Sequence, residues 1–400
     1  MRKKDKKVLF IYSDSQYSNV ALHWLANVYD KEVVVLKINL GEKEDKTQEK
    51  RELLALGAAR VLQVDARNEF VEGYITKAIK ANGIYEEKYP LTAALARPLI
   101  AKEAVKAALN NSIFTIAHGN SGNDRLRLDS YISSLTDRIK VIPILSKWDI
   151  NDENLDSYVN TNKIKIGSNY KMFSISENLW GRSIEKGELE DISREPTNHL
   201  PVYVKDARDT PDKPTYVTLG FKSGIPISLN SKSMPLLNII IKLNKIASIN
   251  GVGSTDTIED GIVGLKTHAI YEWPAAFCII EAHKELERLV STIHQNKLKP
   301  IIDNEWSYAV YAGLWYDPLL TSLNSFIDAN NKNVTGKIRL KLHKGKLTVV
   351  GRESKHALYS KDVAIYRLGY NTADYTSMLE GFINIYSLHM RFANKNNKKR

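Results

Sequence analysis

From Lys7 to about Ile150 the chain alternates short apolar runs with amphipathic stretches, and this alternation limits the possible folds more than any other feature. Residues 8–12 are typical of a buried strand, whereas residues 93–110 have the spacing of a helix. Strands that alternate with helices are joined by right-handed crossovers and form a mainly parallel sheet. Ligands bind at the carboxyl ends of such strands, so the loops after Tyr12 and Ala117 are the first candidate sites.

The same periodicities predict the other elements of this first half. The predicted elements are a helix with Val20, Leu22, Leu25 and Val28 on one side, strands at 33–38, 60–64, 113–117 and 139–144, and a helix at 46–56.

After about Asn151 the pattern changes to hairpins and longer helices. Strands at 215–221 and 225–229 flank Lys222-Ser223-Gly224, and strands at 337–342 and 346–350 flank Lys344-Gly345. This second half is therefore predicted to be an α+β domain. Helices are predicted at 234–249, 275–293 and 376–392, and the last of these is apolar and close to the C-terminus, where a helix often packs on a neighbouring subunit.

Composition and charge exclude several classes of protein. A length of 400 residues predicts two or three domains, and no apolar run approaches the roughly 20 residues that a membrane span needs. The N-terminus lacks the apolar region of a signal peptide. The formal net charge is +11, but the first seven and the last six residues carry +4 each, so no folded basic face for nucleic acid is predicted. The single cysteine, Cys278, lies in an apolar run and is predicted to fill the core of a cytoplasmic protein.

Short motifs along nearly the whole chain carry more specific information. They are Tyr85-Glu86-Glu87-Lys88-Tyr89-Pro90-Leu91, Ala96-Arg97-Pro98-Leu99-Ile100-Ala101-Lys102, Ala117-His118-Gly119, Ser176-Glu177-Asn178-Leu179-Trp180-Gly181-Arg182-Ser183, Asn250-Gly251-Val252-Gly253, Val263-Gly264-Leu265-Lys266, Gly313-Leu314-Trp315 and Val349-Val350-Gly351-Arg352.

In these motifs the chain resembles the argininosuccinate synthase family. The resemblance implies an α/β fold with a nucleotide-binding domain of the PP-loop ATPase type at 1–165, an α+β synthetase domain at 166–365, and a C-terminal oligomerisation helix with a basic tail at 366–400. It also implies a homotetramer and a reaction. In that reaction Mg-ATP activates the ureido oxygen of citrulline as an adenylate, and the amine of aspartate displaces AMP to give argininosuccinate.

The nucleotide side departs from the family pattern. The family loop S-G-G-L-D-T-S reads Ser13-Asp14-Ser15-Gln16-Tyr17-Ser18-Asn19 here, which leaves Ser13 and Ser18, with Gly119 after a later strand, as nucleotide-binding candidates. Both loop glycines are absent, and Asp14 would place a carboxylate near phosphates. Two like unit charges about 4 Å apart repel by about 4 kcal/mol at an effective dielectric near 20. The loop therefore indicates eroded use of ATP and altered activity or specificity.

The amino-acid side is mostly retained. A zwitterion needs donors for its carboxylate and acidic or hydroxyl groups for its other end. The resemblance implies a citrulline-like pocket formed by Tyr89, Arg127, Ser174, Ser183, Glu259 and Tyr271, and an aspartate-like pocket formed by Ser121, Asn123 and Asp124.

Simpler structural interpretations of these residues stay open. Tyr89 and Tyr271 are also consistent with half-buried packing, Glu259 with a solvated loop, and His118 with a structural hydrogen bond. The spacing of histidines and Cys278 predicts no metal site, and no catalytic residue is assigned.

Three functions therefore remain as hypotheses. The chain is an ATP-dependent C–N ligase with altered loop chemistry, a paralogue that binds a citrulline- or arginine-like amino acid or partners an active synthase without catalysis, or an enzyme that uses the amino-acid pocket without ATP.

Overall fold

A five-stranded parallel sheet in the order β3-β2-β1-β4-β5 forms the first half of the protein. The computed structural model describes residues 6–13, 16–42, 46–144, 148, 152–164, 174–196, 203–361 and 373–397. The side chains of Val8, Leu9 and Phe10 on the central strand are fully buried, as a parallel sheet covered on both faces requires. The strands are Lys7–Ile11 (β1), Glu32–Asn39 (β2), Arg60–Asp65 (β3), Thr115–His118 (β4) and Lys140–Pro143 (β5).

The three helices predicted in this half are present, with small differences at their ends, and four further helices among the described residues were not predicted. The first helix begins at Gln16, before the first apolar residue of its periodic pattern, and Val28 lies beyond its end with 60% of its surface exposed. The segment from Arg67 to Lys80 contains a π-helical turn at Val71–Ile75. The helices are Gln16–Asn27 (α1), Lys46–Ala55 (α2), Arg67–Phe70 (α3), Thr76–Lys80 (α4), Thr92–Asn110 (α5), Gly122–Leu135 (α6) and Asp152–Asn162 (α7).

Two antiparallel sheets form the second half. One has the order β11-β12-β7-β6 and the other β10-β9-β8-β13-β14, and the latter contains both predicted hairpins. The α/β fold class, with a parallel sheet followed by an α+β region, is thereby confirmed. The strands are Ser174–Asn178 (β6), Gly181–Glu185 (β7), Thr215–Lys222 (β8), Ile225–Leu229 (β9), Lys232–Ser233 (β10), Ser254–Asp260 (β11), Lys266–Glu272 (β12), Gly336–His343 (β13) and Lys346–Glu353 (β14).

The helices that belong to this half are Leu236–Ile249 (α8), Pro274–Val290 (α9), Ile293–Tyr311 (α10) and Pro318–Asn330 (α11). Two of them, α8 and α9, pack on these sheets, and α10 and α11 pack on other helices. The helix predicted at 275–293 ends at Val290 because Thr292 and Gln295 form a capping box that starts α10. Cys278 on α9 is fully buried and free, as predicted.

The turn between β6 and β7 joins the two halves. Leu179 N–H donates to the Leu40 carbonyl at 2.9 Å, and the Asn178 side chain donates to the Thr92 carbonyl at 2.9 Å. Gly41 has a φ of +122°, and a Cβ there would lie 2.4 Å from Leu179 Cγ. Only glycine accepts both this backbone angle and this close approach.

A buried polar cluster fixes the segment that follows α4. Asn82 Nδ2 donates to Glu287 Oε2 at 2.9 Å and to Asp303 Oδ2 at 2.8 Å. Lys299 Nζ lies 3.2 Å from Glu287 Oε1 and 2.5 Å from Asp303 Oδ1. The start of the segment that carries Tyr85 and Tyr89 is thus anchored to α9 and α10.

The chain divides into a compact unit at 1–356 and a second unit at 357–400. The predicted C-terminal helix is two helices, Ala373–Tyr386 (α12) and Leu388–Asn397 (α13), with Ser387 between them. Their apolar side chains are exposed, for example Met378 by 73% and Phe382 by 61%. None of the described helices is long and apolar enough to cross a membrane.

Candidate functional site

A cleft of about 1920 Å³ lies between the parallel sheet and the β6–β7 and β11–β12 hairpins. The carboxyl ends of β1, β2 and β4 form one part of its wall, as expected for an open parallel sheet. Residues of α5, α6, β7, β11 and β12 form the opposite part. The two groups of candidate residues predicted from the sequence therefore meet at one cavity.

A buried carboxyl with two tyrosine partners lies at the centre of the second part. Glu259 on β11 is 5% exposed. Tyr271 on the neighbouring strand donates to Glu259 Oε2 at 2.9 Å, and Tyr311 at the end of α10 donates to Oε1 at 2.9 Å. Burial raises the pKa of Glu259, and the two hydroxyl donors oppose that rise. Glu259 is therefore an oriented acceptor inside the protein and not a solvated loop residue.

Two arginines surround a second carboxyl at the start of α6. Arg97 Nη2 lies 2.5 Å and Arg127 Nη1 2.9 Å from the two oxygens of Asp124. Burial alone would raise the pKa of Asp124, but the two guanidinium groups lower it to about 2. Arg127 also donates from Nε to the Tyr311 carbonyl at 2.7 Å. These bonds fix the guanidinium of Arg127, a residue that is 3% exposed.

Two charged side chains at the cleft have polar atoms without a protein partner in the described part of the chain. Arg127 Nη2 is buried without a hydrogen-bond acceptor. The carboxyl of Glu185, on β7, has no hydrogen bond or ion pair within the described part of the chain. Burial, together with the charges of Asp124 and Glu259, raises the pKa of Glu185 to about 7. A cationic donor and an acidic group in one cavity match the two ends of an amino-acid zwitterion.

Tyr89 and Ser183 complete the inner wall. The Tyr89 hydroxyl accepts the N–H groups of Ala93 and Ala94 at 3.1 and 3.2 Å, which satisfies two donors of the first turn of α5. Burial raises the pKa of Tyr89 to about 12, so the phenol keeps its proton. Ser183 on β7 pairs in register with Tyr271 on β12 and is 4% exposed.

Asn123 connects α6 to two other elements. Its Oδ1 accepts the Ile262 N–H at 3.2 Å, and its Nδ2 donates to the Tyr311 hydroxyl at 3.2 Å. Ser121, at the N-cap of α6, and Ser174, at the start of β6, line the cleft and are exposed. The structure thus joins Tyr89, Arg127, Glu259, Tyr271, Asn123 and Asp124 through direct or shared contacts, with Ser183 beside them and the two exposed serines on the cleft wall.

The strand-end side has a different character. Ser13 lines the cleft, and its hydroxyl lies 3.0 Å from that of the fully buried Ser18. Gly119 also lines the cleft, and the position that a Cβ would take there is open, with no neighbouring atom within 4 Å. His118 is fully buried and bonds Asp129 Oδ1 at 2.7 Å, in agreement with the structural interpretation of this residue. Asp14 and Ser15 lie outside the described residues.

Sequence reasoning missed three residues of this site. Glu185 follows Ser183 by two positions on a strand, so alternation alone places both on one face. Arg97 lies within the Ala96-Arg97-Pro98 motif, which identified the family but not the contact with Asp124. For Tyr311, nothing in its sequence surroundings indicated a bond to Glu259. Among the described residues, no group of three or more His, Cys, Asp or Glu side chains could hold a metal ion.

Comparison with known proteins gives a consistent result over nearly the whole chain. Residues 7–165 match the arginosuccinate synthase N-terminal HUP domain, and residues 173–393 match the arginosuccinate synthase C-terminal domain. The chain is 40% identical to argininosuccinate synthase of Pyrococcus furiosus over 96% of its length and 93% of that protein. It is 40% identical to argininosuccinate synthase of Rubrobacter xylanophilus, over 96% of its own length and 94% of that protein. It is also 40% identical to argininosuccinate synthase of Hyperthermus butylicus, over 97% of its own length and 98% of that protein.

Proposed function

Because the chain belongs to the argininosuccinate synthase family, we propose that it binds a citrulline-like and an aspartate-like amino acid for ATP-dependent formation of a C–N bond. The observation that carries this proposal is the buried constellation of Glu259, Tyr271 and Arg127 at one cleft. A buried acceptor with two fixed donors and a guanidinium whose Nη2 is unbonded in the described structure form a site that is organised before a ligand arrives.

The proposed roles follow from the chemistry of each group. Arg127 Nη2 binds the carboxylate of the citrulline-like ligand, because it is a buried donor of this pocket without a protein partner among the described residues. Glu185 takes the ammonium group, and Glu259 accepts from the ureido N–H groups. Tyr89, Tyr271, Ser174 and Ser183 line this pocket. Ser121, Asn123 and Asp124 form the aspartate-like pocket at the start of α6.

We assign the nucleotide to the strand-end side of the cleft. Hydroxyl and backbone N–H groups at such loops bind phosphate oxygens. Ser13, Ser18 and Gly119 are the candidate residues, and the open space beside Gly119 supports the close approach of a ligand to the backbone. The absence of the two glycines and the presence of Asp14 support weakened ATP binding, and with it altered activity or specificity.

The alternative function is amino-acid binding without ATP, either in a non-catalytic paralogue that partners an active synthase or in an enzyme of different chemistry. It is favoured by the same loop, Ser13 to Asn19, since a carboxylate beside phosphates opposes binding. The retained amino-acid pocket fits both functions.

The proposal extends to organisation of the chain. We propose domain limits at 1–165, 166–365 and 366–400, a homotetramer and a cytoplasmic location. The exposed apolar side chains of α12, such as Met378 and Phe382, support an interface with another copy of the chain.

The test is pyrophosphate release from Mg-ATP in the presence of citrulline and aspartate, with calorimetry of each ligand alone. Release that requires both amino acids is the expected result. Binding of citrulline or arginine without ATP binding or pyrophosphate release would select the alternative, and no amino-acid binding would refute both. Asp14→Gly with Ser15→Gly, which restores the family glycines, is expected to raise the rate of a ligase and to leave an ATP-independent protein unchanged.

A further inference from the structure

Tyr311 is the one described residue that contacts members of both proposed amino-acid pockets through its hydroxyl. The hydroxyl donates to Glu259 Oε1 at 2.9 Å and accepts from Asn123 Nδ2 at 3.2 Å. The polarity of these bonds is fixed, because a carboxylate oxygen only accepts and Oδ1 of Asn123 already accepts the Ile262 N–H. The two hydrogen bonds therefore run in one direction: Asn123 donates to the Tyr311 hydroxyl, and the Tyr311 hydroxyl donates to Glu259.

The ring of Tyr311 has little freedom to move. It stacks on Tyr85 with ring centroids 3.7 Å apart and planes 10° apart. Tyr89 lies edge-on at 5.8 Å, and the Arg127 guanidinium lies 4.7 Å from the ring centroid. The Tyr311 carbonyl also accepts from Arg127 Nε at 2.7 Å. A shift of the ring would therefore disturb Arg127, Tyr89 and Glu259 together.

From this arrangement we infer that Tyr311 is a positioning residue that couples the two amino-acid pockets, an inference that rests on the proposed function. A ligand held by Asn123 fixes the amide that donates to Tyr311, and thereby fixes the donor to Glu259. Hydrogen bonds in a chain also strengthen one another. The second amino acid then meets a pocket whose ordering the first has already completed, so each ligand tightens the other.

The coupling has a measurable and reciprocal size. If aspartate raises the affinity for citrulline by some factor, citrulline must raise the affinity for aspartate by the same factor. Couplings between sites are commonly about 5- to 150-fold, and for two pockets joined through the Tyr311 hydroxyl and through the direct bond between Arg127 and Asp124 we expect about tenfold. An amino acid without a side-chain carboxylate, such as glycine, replaces aspartate in the control titration.

The experiment measures citrulline affinity by calorimetry with and without saturating aspartate, in the parent chain and in Tyr311→Phe. Tyr311→Phe removes the hydroxyl and keeps the ring, and it is expected to reduce the coupling from about tenfold to about threefold, because the bond between Arg127 and Asp124 still joins the two pockets. Tyr271→Phe is the matched control, because it removes an equal bond to Glu259 but its hydroxyl makes no contact with Asn123 in the described structure. It is expected to weaken citrulline binding while the coupling factor stays unchanged.

The outcomes separate the two proposals. Unchanged coupling in Tyr311→Phe, equal loss of coupling in Tyr271→Phe, or no coupling in the parent chain would overturn the role of Tyr311, although binding of both amino acids would still support the proposed function. Failure of either amino acid to bind the parent chain would overturn the proposed function itself. Should Tyr311→Phe fail to fold, Asn123→Ala breaks the same chain of bonds at its other end. Because Asn123 also belongs to the proposed aspartate-like pocket, the coupling in this variant is measured at an aspartate concentration that saturates it, and the same loss of coupling is expected.

Discussion

The two sides of the cleft differ in how their polar groups are used. On the side formed by α6, β7, β11 and β12, Arg127 and Glu185 keep groups that no protein partner occupies among the described residues. On the strand-end side, polar groups bond to one another: Ser13 to Ser18, the Tyr12 hydroxyl to Asn19 at 2.8 Å, and Leu40 N–H to Glu42 at 2.8 Å. Bonds within the protein must be exchanged before a ligand can use these groups.

This difference shows where ligand binding costs least. Desolvated groups without partners gain a full interaction when a complementary ligand arrives, whereas groups already bonded gain only the difference between two bonds. On the side of the proposed amino-acid pockets, Arg127 Nη2 and the Glu185 carboxyl are available to a ligand, whereas the strand-end groups named above are already bonded within the protein. Substitutions on the two sides should separate affinity from stability.

The largest effect is expected for Arg127→Met. It removes a buried cation that bonds Asp124 and the Tyr311 carbonyl, and loss of one partner of a buried pair commonly costs about 3–5 kcal/mol. Because Arg97 still pairs with Asp124, we expect the free energy of unfolding, measured with urea, to decrease by about 3 kcal/mol, at the lower end of that range. Citrulline binding should also be lost. Arg125→Met is the control, since the Arg125 side chain is 42% exposed and pairs with Asp129 over one helical turn. Equal unfolding midpoints for the two variants would contradict this account.

An intermediate effect is expected from the titration of Glu185. Its pKa of about 7 means that the ionised form, which an ammonium group needs, rises from roughly a tenth to nine tenths of the population between about pH 6 and 8. Citrulline affinity should therefore increase about tenfold over that range in the parent chain. Glu185→Gln should bind more weakly and show little of this dependence, as measured by calorimetry at each pH.

The same group predicts the sign of a stability change. Because the folded pKa is raised above the ordinary value of 4.5, the folded state holds the proton more tightly, and stability falls as pH rises from about 4.5 to 7. Over this pH range the thermal unfolding midpoint of Glu185→Gln should fall by less than the midpoint of the parent chain. A steeper loss in the variant would show that other groups dominate.

The smallest effect is expected for Ser18→Ala on the strand-end side. The variant removes the hydroxyl that lies 3.0 Å from that of Ser13, and a hydrogen bond of this kind contributes about 1 kcal/mol. The free energy of unfolding should decrease by that amount, while the affinity for amino acids stays the same. A clear loss of citrulline affinity would show that the two sides of the cleft are not independent.

The parallel sheet and the two hairpins could be predicted from the sequence because strand and helix periodicities are local, whereas the sheet β11-β12-β7-β6 and the helices α6, α10 and α11 were not predicted. The strands around Val8 and Val33 and the helix that ends at Asn110 agree with prediction to within one or two residues. Helix ends were less accurate. The first turn of α1 contains no apolar residue at helical spacing, and the capping box at Thr292 and Gln295 divides an apolar pattern that continues across it.

The site was predictable only where its residues lie in recognisable motifs. Asp124 and Glu259 could be named, but the bonds from Arg97 to Asp124 and from Tyr311 to Glu259 join residues far apart in the chain. Periodicity describes which face of an element is buried and says nothing about which distant hydroxyl meets a carboxylate. Glu185 is the exception, since its alternation with Ser183 was available in the sequence.

The bond between Leu179 and Leu40 has a consequence for how the protein folds. These residues are far apart in the chain, and they meet only when the parallel sheet and the β6–β7 hairpin are both in place. Contacts between distant residues carry a loop-closure entropy that local elements do not, and they form slowly. During refolding, the spectroscopic signal of the helices should return first. The cleft, whose wall includes the contact between Leu40 and Leu179, should be among the last parts of the protein to become able to bind ligands.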